Sequence, residues 1–128
     1  MDNGELDKAR SLLEQKQPLF SKNYMWRSTW ALLLALENKR LEALRAMDEE
    51  TLKFSDAAFV ATAEAAEFYA VLEDTPKAVR WLGATVRNGD ERVEWFRRDP
   101  RLASMRQDPS FQQIIASVQA RRRRPREK

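Results

Sequence analysis

The chain reads ALLLALENKRLEALRAM over residues 31–47 and AEFYAVLEDTPKAVRWL over residues 66–82. The second stretch repeats the pattern of the first, since Ala43 returns 35 residues later as Ala78. Ala9 stands 34 residues before Ala43 and extends the same period towards the N-terminus. A period of this length is typical of helical hairpins that stack on one another, and it decides the fold class.

The chain contains no cysteine and no histidine among its 128 residues. Their absence excludes thiolate and imidazole nucleophiles, the usual general base, structural zinc and the commonest transition-metal ligand. The carboxylate pairs fall at predicted helix ends, where such groups cap and solubilise more often than they catalyse. The sequence also has no phosphate-binding glycine loop and no nucleophile elbow. We therefore expect no enzyme activity, no catalytic residues, no metal site and no cofactor.

The hydropathy pattern predicts a cytoplasmic protein without a membrane span. The longest uninterrupted apolar stretch runs from Trp30 to Leu36, far short of the length that a spanning helix needs. The N-terminus opens with Asp2 and Glu5 rather than with a basic and then an apolar region, so it does not resemble a secretory signal. The lack of cysteine fits a reducing compartment.

The periodicity predicts a single helical domain over residues 1–120 and a basic tail over residues 121–128. We expect four parts within the domain: a half hairpin at 5–17, a hairpin at 22–49, a second hairpin at 56–88 and a capping region at 91–119. The half hairpin aligns with the second helix of the later units, so the chain is expected to begin in mid-hairpin and to be a fragment of a longer protein. The last helix places Phe111, Ile114, Ile115 and Val118 on one apolar face, as in a helix that closes a stack.

Local signals predict where the helices begin and end. Pro18 is expected to stop the first helix. Ser55 and Asp56 are expected to cap a long alanine-rich helix that continues to Leu72. The later N-terminal signals are acidic residues placed just before a proline: Asp74 before Pro76, Asp99 before Pro100, and Asp108 before Pro109.

These residues resemble the tetratricopeptide repeat family. Ala66 and Tyr69 match the small residue and the tyrosine of that family's first helix, and Ala78 matches the small residue of its second helix. In the first unit Ala31 and Leu34 occupy the first-helix places. The match departs from the family at the turn, where its glycine is replaced by Glu73, and after the second helix, where its proline is replaced by Asp90.

The C-terminal run from Trp95 to Ile115 is similar to the ending of repeat arrays attached to bacterial multidomain proteins, such as kinases, transcriptional regulators and cyclase-like signalling proteins. The resemblance implies an all-α fold in which antiparallel hairpins stack as a short right-handed α-solenoid with a C-terminal capping helix. It also implies a non-catalytic scaffold that binds a partner peptide or helix.

The resemblance further implies a partner-binding groove lined by the first helix of each hairpin. Carried onto this chain, the family's groove positions are Met25, Ser28, Leu32, Ala35, Val60, Ala63, Glu67 and Ala70. The alternative for the apolar members is packing against neighbouring repeats. The lysines and asparagines with which some members grip the carboxylates of chaperone tails are missing from these places. The lining favours an apolar or weakly basic protein segment, held by burial more than by ion pairs.

The net charge of +3 is concentrated in the tail, because residues 1–120 carry 17 basic and 19 acidic residues. The basic residues of the tail are Arg121, Arg122, Arg123, Arg124, Arg126 and Lys128. Such a cluster could bind nucleic acid, an anionic surface or an acidic partner, with Arg97, Arg98, Arg101 and Arg106 as an extension. The alternative is a solvated end that complements the dipole of the last helix. A third hypothesis is self-association through the half hairpin at 5–17.

Four tryptophans offer a possible stacking platform for bases or sugars. Trp26 and Trp30 lie one helical turn apart, and Trp81 falls within an apolar stripe, so packing in the core is the better interpretation of all four, including Trp95. A small-molecule substrate is therefore not expected.

Overall fold

A computed structural model of the chain describes residues 3–20, 23–57, 59–89 and 92–123. All of the regular elements in these ranges are helical, which confirms the all-α class. The elements in chain order are α1 (Asn3–Phe20), α2 (Tyr24–Leu36), α3 (Arg40–Ala46), α4 (Glu49–Ala57), α5 (Phe59–Val71), α6 (Thr75–Arg87), α7 (Val93–Arg98), the 3-10 helix η1 (Pro100–Met105) and α8 (Pro109–Arg123).

The 35-residue period is visible in the backbone at two turns. Asn38 follows α2 with a φ of 63°, and Glu73 follows α5 with a φ of 61°. In both turns this residue donates its N–H to the carbonyl three residues earlier at 3.0 Å, and the next residue donates to the carbonyl five residues earlier at 2.9 Å. A left-handed residue with these two hydrogen bonds ends a helix and turns the chain back. The two turns lead into α3 and α6, which pack against α2 and α5 respectively.

Helices α2 and α5 lie side by side and run in the same direction. Near their N-terminal ends, the Thr29 hydroxyl donates to the Glu64 carboxylate at 3.0 Å. Seven residues further along each helix, Leu36 and Val71 line the same cleft. Both pairs are separated by 35 residues, and a constant separation along two packed helices requires them to be parallel.

A third layer continues this arrangement beyond Gly89. Arg101 and Ser104 of η1 contact Glu67 and Ala70 of α5, each pair being 34 residues apart. Helix α8 then packs against α6 and α7. Pro100 begins η1, where an uninterrupted helix would require an N–H donor.

Small side chains allow these helices to approach closely. Ala31, Ala43, Ala66 and Ala78 are at most 1 % exposed. Larger side chains fill the space between layers, and the largest of them, including Phe68, are fully buried. Alanine at the crossing points with bulky partners between them is the arrangement expected of closely packed helix pairs.

Helix α1 is attached to α2 through tryptophan and arginine side chains. Trp26 donates its indole N–H to the Leu13 carbonyl at 3.1 Å and stacks on Trp30 with ring centroids 5.4 Å apart. Arg10 donates to both carboxylate oxygens of Glu37 at 2.6 and 2.9 Å, and it lies 5.0 Å from the Trp30 ring. This arrangement agrees with the interpretation that these two tryptophans pack within the protein.

Several local expectations are confirmed. Asp74, Asp99 and Asp108 each accept a backbone N–H at the start of the following helix. The apolar face of α8 is buried at Phe111, Ile115 and Val118.

Two local expectations are wrong. Helix α1 continues through Pro18 to Phe20. Ser55 and Asp56 lie inside α4 rather than before the next helix, and the Ser55 hydroxyl donates back to the Thr51 carbonyl at 3.0 Å. The residue that caps this region is Asp48, whose carboxylate accepts the Thr51 N–H at 2.9 Å.

Candidate functional site

The predicted groove residues lie on α2 and α5, and most of them are buried within the chain. Met25 is the exception, with 38 % of its surface exposed. The side chain of Val60 lies outside the described part of the structure. The remaining predicted residues are at most 6 % exposed: Ser28, Leu32, Ala35, Ala63, Glu67 and Ala70. In this conformation a partner reaches these six side chains only if the segments that cover them move.

The 3-10 helix η1 contacts two of the predicted groove residues of α5, Glu67 and Ala70. The Arg101 guanidinium donates to the Glu67 carboxylate at 3.1 Å. One turn further along, the Ser104 hydroxyl donates to the Ala70 carbonyl at 2.6 Å. Two of the predicted groove residues are thus used to hold the third layer in place.

Glu67 is the residue with the most strongly shifted pKa in the described part of the chain. Burial and the neighbouring Asp99 carboxylate raise the pKa of Glu67 to about 8, although Arg101 acts in the opposite direction. Asp99 accepts the Arg101 N–H at 3.0 Å, and its second oxygen is buried without a hydrogen-bond partner among the described residues. Glu67, Asp99 and Arg101 form a cluster of two carboxylates and one guanidinium, named here the carboxylate cluster.

A second, half-buried carboxylate, that of Glu64, lies one helical turn before the carboxylate cluster. Burial raises the pKa of Glu64, and the hydrogen bond from Thr29 opposes that effect. Both carboxylates belong to α5, and both are shielded from water by a neighbouring layer. Their common arrangement joins three layers through polar contacts, since Glu64 binds α2 and Glu67 binds η1.

An open cleft of about 470 Å³ lies at the C-terminal ends of α2 and α5, and Ala70 is the one predicted groove residue in its lining. We name it the η1 cleft. Its lining comprises Leu36, Ala70, Val71, Glu73, Pro100, Arg101, Ala103 and Ser104. Aliphatic surface forms most of the floor, and Glu73 and Arg101 place one charge of each sign at its edge. A short apolar segment with a polar group at either end matches these dimensions and this polarity.

The predicted basic tail begins inside a helix. Helix α8 includes the backbone of Arg121, Arg122 and Arg123, and the Arg121 side chain is exposed. Arg124 and Arg126 lie outside the described residues. The other aromatic candidates are half-buried, with Trp81 beside the core and Trp95 beneath the Arg92 guanidinium at 4.4 Å.

Sequence reasoning missed the residues that cover the groove. The sequence predicts Arg101 only as part of a basic patch, and Ser104 is not among the predicted site residues. A usable signal was present, because these residues stand 34 positions after Glu67 and Ala70 and therefore continue the repeat period. Pro100 obscures this signal, because a proline inside the segment interrupts the helical pattern.

No cluster of three or more metal-ligating side chains is found among the described residues. The described helices also include none with the length and apolar character required to cross a membrane. Comparison with family models, with curated proteins and with solved structures finds no match for this chain.

Proposed function

We propose that this chain is a non-catalytic, tetratricopeptide-like scaffold that binds a segment of a partner protein. The observation that carries the proposal is the common offset of 34 to 35 residues at which α5 packs on α2 and η1 packs on α5. A constant offset between successive layers is the geometry of a solenoid, in which each unit contacts its neighbours and one face is left for binding. Helix α8 acts as the cap in this proposal.

The partner segment binds in the η1 cleft. The groove positions Ser28, Leu32, Ala35, Ala63 and Glu67 are buried within the chain. The cleft keeps aliphatic surface open between Leu36, Val71 and Ala103. Binding there is driven by burial of apolar surface, at about 25 cal/mol for each Å² removed from water. Glu73 and Arg101 orient the segment through its polar ends. The preferred ligand is an apolar helix or extended segment.

The test replaces two exposed alanines, one inside the η1 cleft and one outside it. Ala103 is an exposed cleft residue, and Ala120 is an exposed residue of α8 away from the cleft. A photo-crosslinking amino acid at position 103 should capture a partner that the same group at position 120 does not capture. Ala103→Arg should then weaken binding of the identified partner segment at least about tenfold, or about 1.4 kcal/mol. Ala120→Arg should leave its affinity within about twofold, as expected for an exposed site remote from the contact.

Equal loss of binding in the two arginine variants would contradict the cleft as the binding site. Circular dichroism and the melting temperature should be unchanged in both variants, because both alanines are exposed. A partner that crosslinks only from position 120 would place the interaction on α8 and overturn the proposal.

An alternative function is binding of an anionic polymer or surface through the C-terminal region. Its support is the charge distribution, since residues 1–91 carry a net charge of −4 and residues 92–128 carry +7. Deletion of residues 121–128 should abolish salt-sensitive binding to DNA or RNA under this alternative. It should leave binding in the η1 cleft intact.

Self-association through α1 is a second alternative. Leu12 is 58 % exposed on this helix, so α1 carries apolar surface that a second copy of the chain could bury. Sedimentation that shows only monomer across a wide concentration range would exclude it.

A further inference from the structure

An open pocket separate from the η1 cleft lies where α7, η1 and α8 meet, and it encloses about 290 Å³. Arg97 of α7 and Arg106, which follows η1, contribute its two guanidinium groups. Phe111, Ile115 and Ala116 of α8 form its apolar floor. We name this site the basic pocket. It combines two cations with an aliphatic and aromatic surface in one concave site.

Contacts within the protein hold the Arg97 side chain at the rim. Its Nη1 donates to Glu94 at 3.0 Å, one helical turn earlier on α7. With the Gln119 amide oriented so that its oxygen faces the guanidinium, that oxygen accepts from Arg97 Nη2 at 2.7 Å. A guanidinium fixed on two sides loses less conformational entropy when it binds an anion.

Arg106 is fixed from the opposite side of the basic pocket. Its Nη2 donates to the Asp99 carbonyl at 2.5 Å, which anchors the side chain against the start of η1. Its Nε is buried and has no hydrogen-bond acceptor among the described residues. A buried guanidinium donor without an acceptor is costly, and an oxyanion beside it removes that cost.

The charge around the basic pocket is predominantly positive. Residues 92–123 include eight arginines, no lysine and three acidic residues. Glu94 pairs with Arg97, and Asp99 accepts the Arg101 N–H, so two of these acids are already engaged within the protein. The surrounding potential therefore favours an anionic ligand and accelerates its approach at low ionic strength.

We propose that the basic pocket is a second binding site, which recognises a peptide segment carrying an aspartate or glutamate side chain next to a large apolar side chain. The carboxylate binds between Arg97 and Arg106, and the apolar side chain packs on Phe111, Ile115 and Ala116. This site is distinct from the η1 cleft, so the proposal does not depend on the proposed function.

The apolar floor favours an acidic peptide over a nucleic acid. Affinity for nucleic acids comes from many phosphate contacts along an extended basic track. The basic pocket instead presents two guanidinium groups at one concave site of about 290 Å³, which is too small for a basic track along several phosphates. One carboxylate and one apolar side chain satisfy this combination of groups.

Two matched pairs of variants test the proposal. Ala116→Glu places a carboxylate in the basic pocket, and Ala120→Glu places the same charge one helical turn further along α8, outside the lining. Arg97→Gln removes one of the two cations, and Arg98→Gln removes the next arginine, which is exposed and also outside the lining. Net charge is equal within each pair, so a difference between its members reports the position of the charge.

The probe is a fluorescein-labelled octapeptide of alternating leucine and glutamate, with its glutamate-to-glutamine and leucine-to-serine versions as controls. Fluorescence anisotropy with the full chain should show saturable binding of the first peptide, and each control peptide should bind at least about tenfold more weakly. Ala116→Glu should weaken binding at least about tenfold and Arg97→Gln about three- to tenfold, whereas Ala120→Glu and Arg98→Gln should leave it within about twofold.

Equal weakening within either pair would overturn the proposal, because it would show attraction to net charge alone. Binding of the glutamine peptide as tightly as the glutamate peptide would also overturn it. A labelled single-stranded oligonucleotide tests the competing explanation, that the region binds nucleic acid. That explanation is correct if the oligonucleotide binds and the peptide does not. Oligonucleotide binding should then weaken with added salt and be unaffected by Ala116→Glu. Chemical-shift changes at the Arg97 and Arg106 Nε–H groups on addition of the peptide would support the assigned contacts.

Discussion

The two residues that reverse the chain after α2 and α5 are asparagine and glutamate, although the conformation they hold suits glycine. Asn38 and Glu73 have φ values of 63° and 61°. Outside glycine, this region costs roughly 1 to 2 kcal/mol because Cβ approaches the backbone, and asparagine tolerates it better than glutamate. Both residues keep the hydrogen bonds that end the helix, so the packed layers impose the conformation despite its cost. The residual strain is greater at Glu73.

Replacing Glu73 with glycine should therefore stabilise the protein. The gain should be about 0.5 to 1 kcal/mol after the greater unfolded-state entropy of glycine is subtracted, which raises the melting temperature by about 2 to 4 °C. Asn38→Gly should give a smaller increase. Glu73→Ala is the control, because it removes the same carboxylate but keeps a Cβ. An equal gain from Glu73→Ala would attribute the effect to charge and contradict the backbone explanation.

At the scale of elements, η1 is attached to α5 through a group that titrates near neutral pH. Burial and the Asp99 carboxylate give Glu67 a pKa of about 8 in the folded protein, against 4.5 as its ordinary value. The folded state therefore binds this proton more tightly than the unfolded chain does. The resulting stability is complete below about pH 4.5 and is lost as the pH rises through about 8.

Substituting Glu67 with glutamine should remove this loss. Between pH 6 and pH 9 the native protein should lose at least about 1 kcal/mol through Glu67, or about 3 to 4 °C in melting temperature. The Glu67→Gln variant should lose less, so its melting temperature should rise relative to the native protein as the pH increases. Thermal denaturation at several pH values provides the measurement. Glu42→Gln is the control, since it removes an exposed carboxylate and leaves Glu67 in place. Parallel curves for the native protein and Glu67→Gln would contradict the assignment.

The sequence predicted those elements whose boundaries depend on neighbouring residues. Asp74, Asp99 and Asp108 cap the helices that follow them, because a cap needs only a carboxylate and an N–H two or three residues away. Helix α4 differs from the prediction, because its cap is Asp48 and the predicted cap Ser55 lies inside it. Packing against the neighbouring layers decides where such a helix begins and ends, and a single sequence does not reveal that packing.

The sequence predicts the helices that carry the candidate groove residues, but it does not predict which of these residues other layers bury. The groove positions were placed on α2 and α5, and the structure has them there, but Glu67 and Ala70 contact η1. That contact joins residues 34 positions apart across an element that Pro100 interrupts. Their burial therefore depends on the third layer. The basic pocket requires three elements to converge, so neither Arg97 nor Arg106 could be assigned a position in it from sequence.

At the scale of the whole molecule, the layers differ in how many neighbours support them. Helix α5 packs against α2, α4, α6 and η1, whereas the main contact of α1 is with α2. In a stack held together by contacts between adjacent layers, terminal layers open at lower free energy than central ones. Amide exchange in α1 should therefore be faster than in α5 by at least about tenfold, which corresponds to about 1.4 kcal/mol of local opening free energy.

A single substitution can separate this behaviour from unfolding of the chain as one unit. Arg10→Gln removes the 2.6 and 2.9 Å contacts with Glu37 and the contact with Trp30, which together join α1 to α2. Loss of the Arg10 cation also leaves the half-buried Glu37 with Lys39 at 3.5 Å, so its depressed pKa should return upwards. Hydrogen exchange followed by mass spectrometry should accelerate in α1 by roughly tenfold and stay unchanged in α5 and α6. Lys53→Gln, which breaks an exposed ion pair with Glu49, should accelerate neither region. Equal acceleration of α1 and α5 in Arg10→Gln would show that the layers open together, and the proposed stack of separable units would then be wrong.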